Sequence, residues 1–355
     1  MRTAAVCLLV LVLLPVAASA GDAFDIIPVA DGIYAAIGKG TAPMAIGSNA
    51  AIIVNEDDIV VVDSHYTPSA ARALLAEIKL LTDKPVRYVV NTHWHNDHTQ
   101  GNRAYFNVFP GGPEFISSHL TREDIEKKAI PSVKQELETL PQRISQGEQQ
   151  LAAGTGPEGQ PLTDEQKAQR RAQLDRLKAY LEELRSLEIT LPTLTFERSL
   201  VLHKDARPIH ILFFHGGHTR GDVVVYLPRE KVLVAGDLVT AGLPFPRDSY
   251  PAAWIKTQNA IAGLDFDQLI PGHGPVQKGK DHVKLLTQIF ESIVTQVRAA
   301  VDKGLSLEDT KEAVNVEPFR QAITGGDTAQ NRNFDARIAT YIERAWREAR
   351  GELKD

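Results

Sequence analysis

Three histidines and an aspartate stand within six residues of this sequence, in the run His93-Trp94-His95-Asn96-Asp97-His98. The run follows the apolar stretch Val86–Val90, which predicts a buried strand, so we expect it to form a loop at a sheet edge. In an extended loop, His93, His95 and Asp97 would share one side, and His98 would turn to the other. Such a loop can offer ligands to two neighbouring metal ions.

Three further candidate ligands follow later apolar stretches, and each stands beside a glycine. His218 comes after a predicted strand that ends at Phe214, and Asp237 comes after the predicted strand 232–235. His273 follows another apolar pair of residues. Glycine lets the backbone approach closely, and imidazole and carboxylate suit zinc where no thiolate is available. The sequence therefore predicts a metal site held by nitrogen and oxygen.

The first twenty residues are expected to lie outside the fold. Arg2 supplies a positive charge, residues 4–16 are apolar, and small residues form a cleavage site after them, which predicts a signal peptide over 1–20. The only cysteine, Cys7, lies in this segment, so the mature domain over 21–355 would contain no thiolate. We expect a periplasmic or secreted protein with no membrane anchor after cleavage.

The charge of the chain bears on its partners. The formal net charge is −6 and no basic block occurs, so nothing favours nucleic-acid binding, and a small-molecule substrate is the expected partner. No feature of the sequence predicts the oligomeric state.

The predicted elements form two groups of strands and helices that flank a charged helical region. The first group has strands over Ala50–Val54 and Ile59–Val62 and a helix over 69–81. The later strands are predicted over 194–202, 209–214, Val223–Leu227 and 232–235. Two such halves suit an α/β fold in the form of an αββα sandwich.

Two helical regions complete the layout. Residues 120–190 are rich in charged residues with leucine at helical intervals, which predicts an inserted helical hairpin with a turn near 153–159. Its charges indicate either a solvated face or a lid beside the active site. The C-terminal part, about 280–355, predicts helices over 280–301, after Leu305, and over 340–351.

The motifs HxHxDH, GGHTxGD, GD and PGHG, in this order, resemble the metallo-β-lactamase superfamily over nearly all of residues 24–290. The resemblance implies two sets of three ligands for two Zn²⁺ ions and one carboxylate that bridges them. The sets are His93, His95 and His218, and Asp97, His98 and His273, with Asp237 as the bridge. The resemblance also implies that Asp63 orients the first histidine loop, with Thr92 and Asp222 as weaker candidates for such a role.

A zinc pair of this kind lowers the pKa of a shared water to about 7, so the resemblance implies a zinc-dependent hydrolase. Because of the predicted signal peptide, we expect this hydrolase to be exported. Asp97 would be both a ligand and a candidate acid or base in catalysis. The expected substrate has an ester, lactone, thioester or amide bond. β-Lactams are one candidate, although Asp237 stands where one lactamase subclass has cysteine.

Two alternatives stay open at this point. Persulfide dioxygenases share most of this ligand set, so the chain could be an iron-dependent dioxygenase of the same fold. It could also be a binding or maturation protein that retains metal with little turnover. The loop 240–250 follows Asp237 and is expected at the mouth of the site, where Phe245, Arg247 and Tyr250 are candidate substrate contacts.

Overall fold

The computed structural model describes residues 21–353, apart from 22, 107, 109, 110, 157, 158, 205 and 206. The predicted signal peptide lies outside these residues. None of the helices in the described part of the chain has both the length and the apolar character that a membrane span requires.

The first sheet has seven strands whose order follows the chain. They are β1 Phe24–Ala30, β2 Ile33–Gly38, β3 Ala50–Val54, β4 Ile59–Val62, β5 Val86–Val90, β6 Glu114–Ser118 and β7 Leu194–Phe196. Strands β1 to β4 form an antiparallel meander, and β4 to β7 are parallel. Every residue of β4 is buried, as expected for a β-branched strand covered on both faces.

The second sheet has six strands in the order β13-β12-β11-β10-β9-β8. They are β8 Ser199–Lys204, β9 Arg207–Phe213, β10 Val223–Leu227, β11 Val232–Gly236, β12 Gln268–Pro271 and β13 Gln277–Lys278. Strands β11 and β12 are parallel, and the other neighbours are antiparallel. The parallel pair matters for the site, because two candidate ligands follow β11 and β12 directly.

The prediction of one strand over 194–202 is wrong. The segment contains β7, which pairs with β6 in the first sheet, and β8, which pairs with β9 in the second. The link between them crosses from one sheet to the other, and the Arg198 carbonyl accepts a hydrogen bond from the Phe213 N–H. Hydrophobic pattern alone does not reveal this crossing, because β7 and β8 both contribute to the apolar layer between the sheets.

The helices cover the outer faces of the two sheets. They are α1 Pro68–Leu81, α2 Asn96–Thr99, α3 Asn102–Phe106, α4 His119–Asp124, α5 Ile130–Ala153, α6 Asp164–Arg185, α7 Pro251–Gly263, α8 Asp281–Asp302, α9 Leu307–Ala313, α10 Glu317–Thr324 and α11 Thr328–Ala349. A π-helical turn, Ile125–Ala129, joins α4 to α5. Helix α1 packs on the first sheet, while α7, α8 and α11 pack on the second. The αββα sandwich is therefore confirmed.

The helical hairpin consists of α5 and α6. Gly154, in the left-handed conformation, caps the end of helix α5, and α6 begins with a capping box between Thr163 and Gln166. The two helices share a small apolar cluster that includes Tyr66 from the first half of the chain. This contact brings the hairpin next to the sheet edge where the candidate ligands lie.

The C-terminal region is helical, as predicted, with different bounds. Helix α11 begins at Thr328 rather than near 340, because Asp327 caps it by accepting a hydrogen bond from the Gln330 N–H. Helices α7 and α10 were not predicted.

Candidate metal centre

Four loops bring the predicted ligands to one edge of the sandwich. They follow β5, β9, β11 and β12, and the side chains form two groups. Within each group, the ligand atoms lie within 4.8 Å of one another. The groups are His93, His95, His218 and Asp237, and Asp97, His98 and His273. The division into two sets is the one that the family resemblance implies.

The first histidine loop is not extended throughout, so the period-two expectation for it is wrong. Residues Asn96–Thr99 form one helical turn, in which the His98 N–H donates to the His95 carbonyl at 3.0 Å. The turn separates Asp97 from His93 and His95 and groups it with His98 instead. One short loop therefore serves two neighbouring sites.

The Asp237 carboxylate lies between the two groups. Its Oδ1 is 3.4 Å from His98 Nε2 and 3.2 Å from His273 Nε2, and its Oδ2 is 3.5 Å from His218 Nε2. Glycine is required next to it, because a Cβ at Gly272 would lie 2.0 Å from Asp237 Oδ1. This placement is what a bridging ligand needs, and the bridging role itself stays a prediction.

Asp63 holds two parts of the histidine loop from the end of β4. Its Oδ1 accepts from the Thr92 N–H at 2.8 Å, and its Oδ2 accepts from the Thr92 hydroxyl at 2.8 Å and from His98 Nδ1 at 2.7 Å. The Thr92 hydroxyl is also 3.1 Å from His93 Nδ1. Because these contacts occupy Nδ1 of both rings, His93 and His98 are left with Nε2 as the ligand atom.

His95 is held by a residue that the sequence reasoning missed. Its Nε2 lies 3.0 Å from Asp248 Oδ2, and its Nδ1 lies 2.9 Å from His218 Nε2. Asp248 thus orients His95 as Asp63 orients His98. Its position beside Arg247 in the predicted mouth loop was the only signal, and no pattern distinguishes it there.

The loop that carries His218 is stabilised from within and from outside. Asp222 accepts from the Thr219 N–H at 2.8 Å and from its hydroxyl at 2.7 Å, and burial raises the pKa of Asp222 to about 8. The Arg220 guanidinium forms ion pairs with Asp124, at 2.9 Å, and with Glu123, at 3.0 Å, on helix α4. Asp222 therefore supports the loop rather than a ligand ring.

The surroundings of two imidazoles in the first group favour the neutral form. Burial, together with the neighbouring His98 ring, lowers the pKa of His93 well below its ordinary value. Burial lowers the pKa of His218 to about 3. Neutral imidazoles present lone pairs, which is the state that a metal ligand requires.

The second group is dominated by paired charges. Burial raises the pKa of Asp97, but the His98 and His273 rings outweigh it and lower this pKa to about 2. Burial opposes ionisation of His273, yet the carboxylates of Asp237 and Asp97 raise its pKa to about 10. Metal binding here would displace a proton from His273, since a ligand imidazole must be neutral.

The donor set fits a pair of divalent metal ions. Among the described residues, His93 Nε2, His98 Nε2 and Asp237 Oδ1 are buried and form no well-oriented hydrogen bond, although Asp237 Oδ1 lies 3.4 Å from His98 Nε2 and 3.2 Å from His273 Nε2. Buried polar atoms are normally paired, so three unpaired donors or acceptors at one point indicate a missing partner. Nitrogen and carboxylate oxygen without sulfur is a donor set that zinc accepts.

A cavity of about 450 Å³ opens onto this cluster. Phe245 and Arg247 from the predicted mouth loop line it, as do Asp97, Asp237 and His273. The other lining residues are Tyr66, Trp94, His95, Asn96, Ser132, Thr240, Asp248 and Arg337. Tyr250, at the start of α7, does not line the cavity. Its ring lies 5.3 Å from the guanidinium of Arg344 in α11.

The sequence profile of the metallo-beta-lactamase superfamily matches residues 44–120 and 143–273, which is more than half of the chain. The chain belongs to this superfamily. The family predicted from the motifs is confirmed, and so, at that coarse level, is the prediction of a superfamily hydrolase. The bond that it cleaves is a separate question.

Named relatives in this superfamily include sulfatases and β-lactamases. A linear primary-alkylsulfatase from Pseudomonas sp. is 25% identical over 287 residues, which cover 76% of this chain and 50% of the relative. A solved inverting sec-alkylsulfatase from Pseudomonas sp. covers 91% of this chain and 50% of its own, with a TM-score of 0.64 and 17% identity. A solved metallo-β-lactamase from Pontibacter korlensis covers 75% of this chain and 99% of its own, with a TM-score of 0.52 and 19% identity. The chain spans about half the length of the two sulfatases.

Proposed function

We propose that this protein is an exported, zinc-dependent hydrolase of sulfate esters that have an apolar chain. The reaction consumes one water for each ester, cleaves the ester linkage, and yields an alcohol and hydrogen sulfate. The observation that carries the proposal is a pair of arginines in the cavity that contains the ligand cluster, neither of which has an acidic partner among the described residues.

Arg247 and Arg337 are these two arginines. Arg247 is exposed at the cavity and lies 5.2 Å from the Phe245 ring, and Arg337 is half-buried and donates to the Leu243 carbonyl. Within the described part of the chain, neither guanidinium has a carboxylate at ion-pair distance. The planar guanidinium group donates paired hydrogen bonds to two oxygens of an oxyanion, so this cavity suits an anionic substrate group.

Apolar surface in the same cavity suits a hydrocarbon chain. Phe245 is 43% exposed, and Trp94 packs on Ile125 and Ala129 while one side borders the cavity. Burying a methylene group contributes about 0.8 kcal/mol, so a medium-length chain would add substantially to binding. The name of the alkylsulfatase relative describes a substrate with both features, a sulfate group and a linear chain.

The protein's own groups have defined tasks in this proposal. When bound, two zinc ions supply Lewis acidity and a water of lowered pKa. His93, His95 and His218 would hold one ion, Asp97, His98 and His273 the other, and Asp237 would contact both. Asp97, kept anionic by its neighbouring imidazoles, can orient the water or accept its proton.

The test combines metal content with matched substrates. We expect about two zinc ions per chain by elemental analysis, and hydrolysis of a medium-chain primary alkyl sulfate that a chelator abolishes. The acetate ester of the same alcohol and nitrocefin serve as the neutral ester and the β-lactam. If the alkyl sulfate is not hydrolysed, the sulfatase proposal is contradicted. Turnover of the acetate ester would then favour a general esterase, and turnover of nitrocefin a β-lactamase.

Arg337→Gln tests the anion contact directly. A hydrogen bond to a charged group contributes about 1.5–3 kcal/mol, so we expect kcat/KM for the alkyl sulfate to fall at least about tenfold. The value of kcat/KM for the acetate ester should fall less. Arg320→Gln is the control, because Arg320 pairs with Glu317 and Asp335 away from the cavity, and it should change kcat/KM for neither ester. An equal loss for both esters would contradict sulfate recognition by Arg337.

Other outcomes would identify the remaining alternatives. A single iron ion would favour the dioxygenase, since imidazole and carboxylate also suit iron. Full occupancy by zinc with no turnover on any of the three substrates would favour a binding or maturation role. Export is tested by the N-terminus of the protein from a periplasmic or culture fraction, which should follow residue 20; an unprocessed chain in the cytoplasm would contradict it.

A further inference from the structure

One face of helix α11 is bound to the backbone of the loop that lines the cavity. The residues on this face are Arg337, Tyr341, Arg344 and Glu348, whose spacing of four, three and four places them on one side of a helix. They lie about 95 residues further along the chain than the loop that they contact.

The contacts follow the same order along the helix and along the loop. Arg337 donates to the Leu243 carbonyl, and the Tyr341 hydroxyl donates to the Pro244 carbonyl at 2.9 Å. Next, Arg344 Nε donates to the Ser249 carbonyl at 2.7 Å. Finally, Glu348 Oε2 accepts from the Ala252 N–H at 2.9 Å, at the start of α7. The helix thus fixes both ends of the loop between residues 243 and 252.

Three of the residues between these anchors face the cavity, whereas Tyr250 packs against Arg344 of the helix. Phe245, Arg247 and Asp248 line the cavity, and Asp248 extends to His95. Residues 243–250 form no strand or helix, so the carbonyl groups of Leu243, Pro244 and Ser249 need donors from outside the loop. Helix α11 supplies these donors, and Tyr341 does so from a fully buried position against Trp254 and Phe290.

We infer that this face of α11 is a template that sets the conformation of the mouth loop, with Tyr341 and Arg344 as positioning residues. Through the loop they place Asp248 against His95, and so act on one metal-binding group. Through the same loop they place Arg247 and Phe245 against the substrate, and this second part rests on the proposed function. The C-terminal helix is thereby part of the recognition machinery and not only a cover for the second sheet.

Amide hydrogen exchange on the full, metal-free chain tests the first part. We would compare Tyr341→Phe, Arg344→Met and the double variant with the wild type, in peptides that cover residues 243–250. Loss of two hydrogen bonds should speed exchange there by about tenfold in the double variant, while peptides from α8 stay unchanged. Exchange in 243–250 equal to the wild type would overturn the inference, and so would a uniform increase across all peptides.

The matched control for Tyr341→Phe is Tyr226→Phe. The Tyr226 hydroxyl also donates to a backbone carbonyl at 2.9 Å, that of Asp265, but at an exposed position remote from the cavity. This control should leave exchange in 243–250 unchanged. If the double variant does not fold, the single variants decide, since Tyr341→Phe retains the buried ring and should show a smaller increase in the same peptides.

Zinc affinity and kinetics then separate positioning from mere stability. By chelator competition, we expect the double variant to bind zinc about threefold to tenfold more weakly, because removal of an outer-sphere partner costs about 10- to 100-fold and here Asp248 is displaced but not removed. KM should rise more than kcat falls for whichever ester is hydrolysed. Unchanged zinc affinity and an unchanged KM would overturn the inference even if alkyl sulfates prove to be substrates. Conversely, failure of every sulfate ester would leave the exchange and zinc results intact, so the two proposals can fail separately.

Discussion

Two histidines of the cluster are each held by a carboxylate, but in different surroundings. His98 Nδ1 lies 2.7 Å from Asp63, and His95 Nε2 lies 3.0 Å from Asp248. The first pair is buried, with side chains 0% and 3% exposed, whereas the second pair is 15% and 25% exposed. The same chemical contact is thus made once in the core and once at the mouth of the cavity.

The origin of the two carboxylates explains this difference. Asp63 directly follows β4, at a φ of 64°, and accepts three hydrogen bonds from the histidine loop. Asp248 lies on a loop whose backbone is bound by helix α11. The sheet itself positions the first carboxylate, and packing of a distant helix positions the second. We therefore expect that loss of Asp63 lowers both the stability of the fold and the affinity for metal. Loss of Asp248 should lower mainly the affinity for metal.

The largest effect is expected from Asp237→Ala, because Asp237 contacts both groups. We expect loss of about one zinc per chain and a fall in hydrolysis of at least about 100-fold, beyond the usual cost of losing an outer partner. Elemental analysis and the rate on the best ester measure both. His203→Ala, at an exposed position of β8, is the control and should change little. Metal content and rate near the wild type would contradict the bridging role.

Asp63→Asn should come next. An amide has one acceptor oxygen, so it cannot keep the Thr92 N–H bond at Oδ1 together with the Thr92 hydroxyl and His98 bonds at Oδ2, and we expect zinc affinity to fall about 10- to 100-fold. The free energy of unfolding of the metal-free protein should fall by about 3 kcal/mol, since a buried charged contact is broken. Calorimetry and chelator competition measure the two quantities.

Asp58→Asn is the matched control for Asp63→Asn. Asp58 is also buried, accepts from Asn55, and forms an ion pair with Lys204 away from the site. It should lower stability and leave zinc affinity unchanged. If Asp63→Asn behaves in the same way as this control, Asp63 has no part in orienting His98.

Asp248→Asn should weaken zinc binding by about tenfold and lower the free energy of unfolding by less than about 1 kcal/mol, because its side chain is partly solvated. Asp265→Asn, an exposed partner of Lys231, is the control and should change neither quantity. A loss of stability as large as that of Asp63→Asn would remove the distinction between the core and the mouth.

The contrast also explains what the sequence could predict. The bounds of β3, β4, β5 and β10 agree with the predicted strands, because a run of β-branched residues is a local signal. Asp63 stands at the end of such a run, but its role could be predicted only through the family resemblance. The motif histidines and Asp237 could be assigned to two groups only through the family resemblance, because the extended geometry assumed for Asp97 does not occur.

Other features depend on contacts that no local pattern encodes. Asp248 has no signal beyond its place in a loop, and its role requires α11, about 95 residues later, to fix that loop. The change of sheet between β7 and β8 depends on which strand each segment pairs with, and apolar residues occur in both. Tertiary packing decides these points, so hydrophobic periodicity could not.

The smallest effect on zinc is expected from Arg220→Gln. Arg220 is 11% exposed and pairs with the fully buried Asp124, so its loss should lower the free energy of unfolding by about 3 kcal/mol. Arg185→Gln, which breaks an exposed pair with Glu182, should cost at most about 1 kcal/mol and is the control. Calorimetry of the metal-free protein compares the two variants.

Zinc affinity of Arg220→Gln should stay within about threefold of the wild type, since the contacts that hold the His218 loop are redundant. The Gly221 carbonyl also accepts from the hydroxyls of Ser118, at 2.6 Å, and Thr121, at 2.9 Å. These bonds should keep His218 in place when the ion pair is lost. If zinc affinity instead falls as far as in Asp248→Asn, His218 depends on a distant ion pair in the way that His95 depends on the mouth loop. The group of His93, His95 and His218 would then be the one set by tertiary packing, and the group of Asp97, His98 and His273 the one set by the sheet.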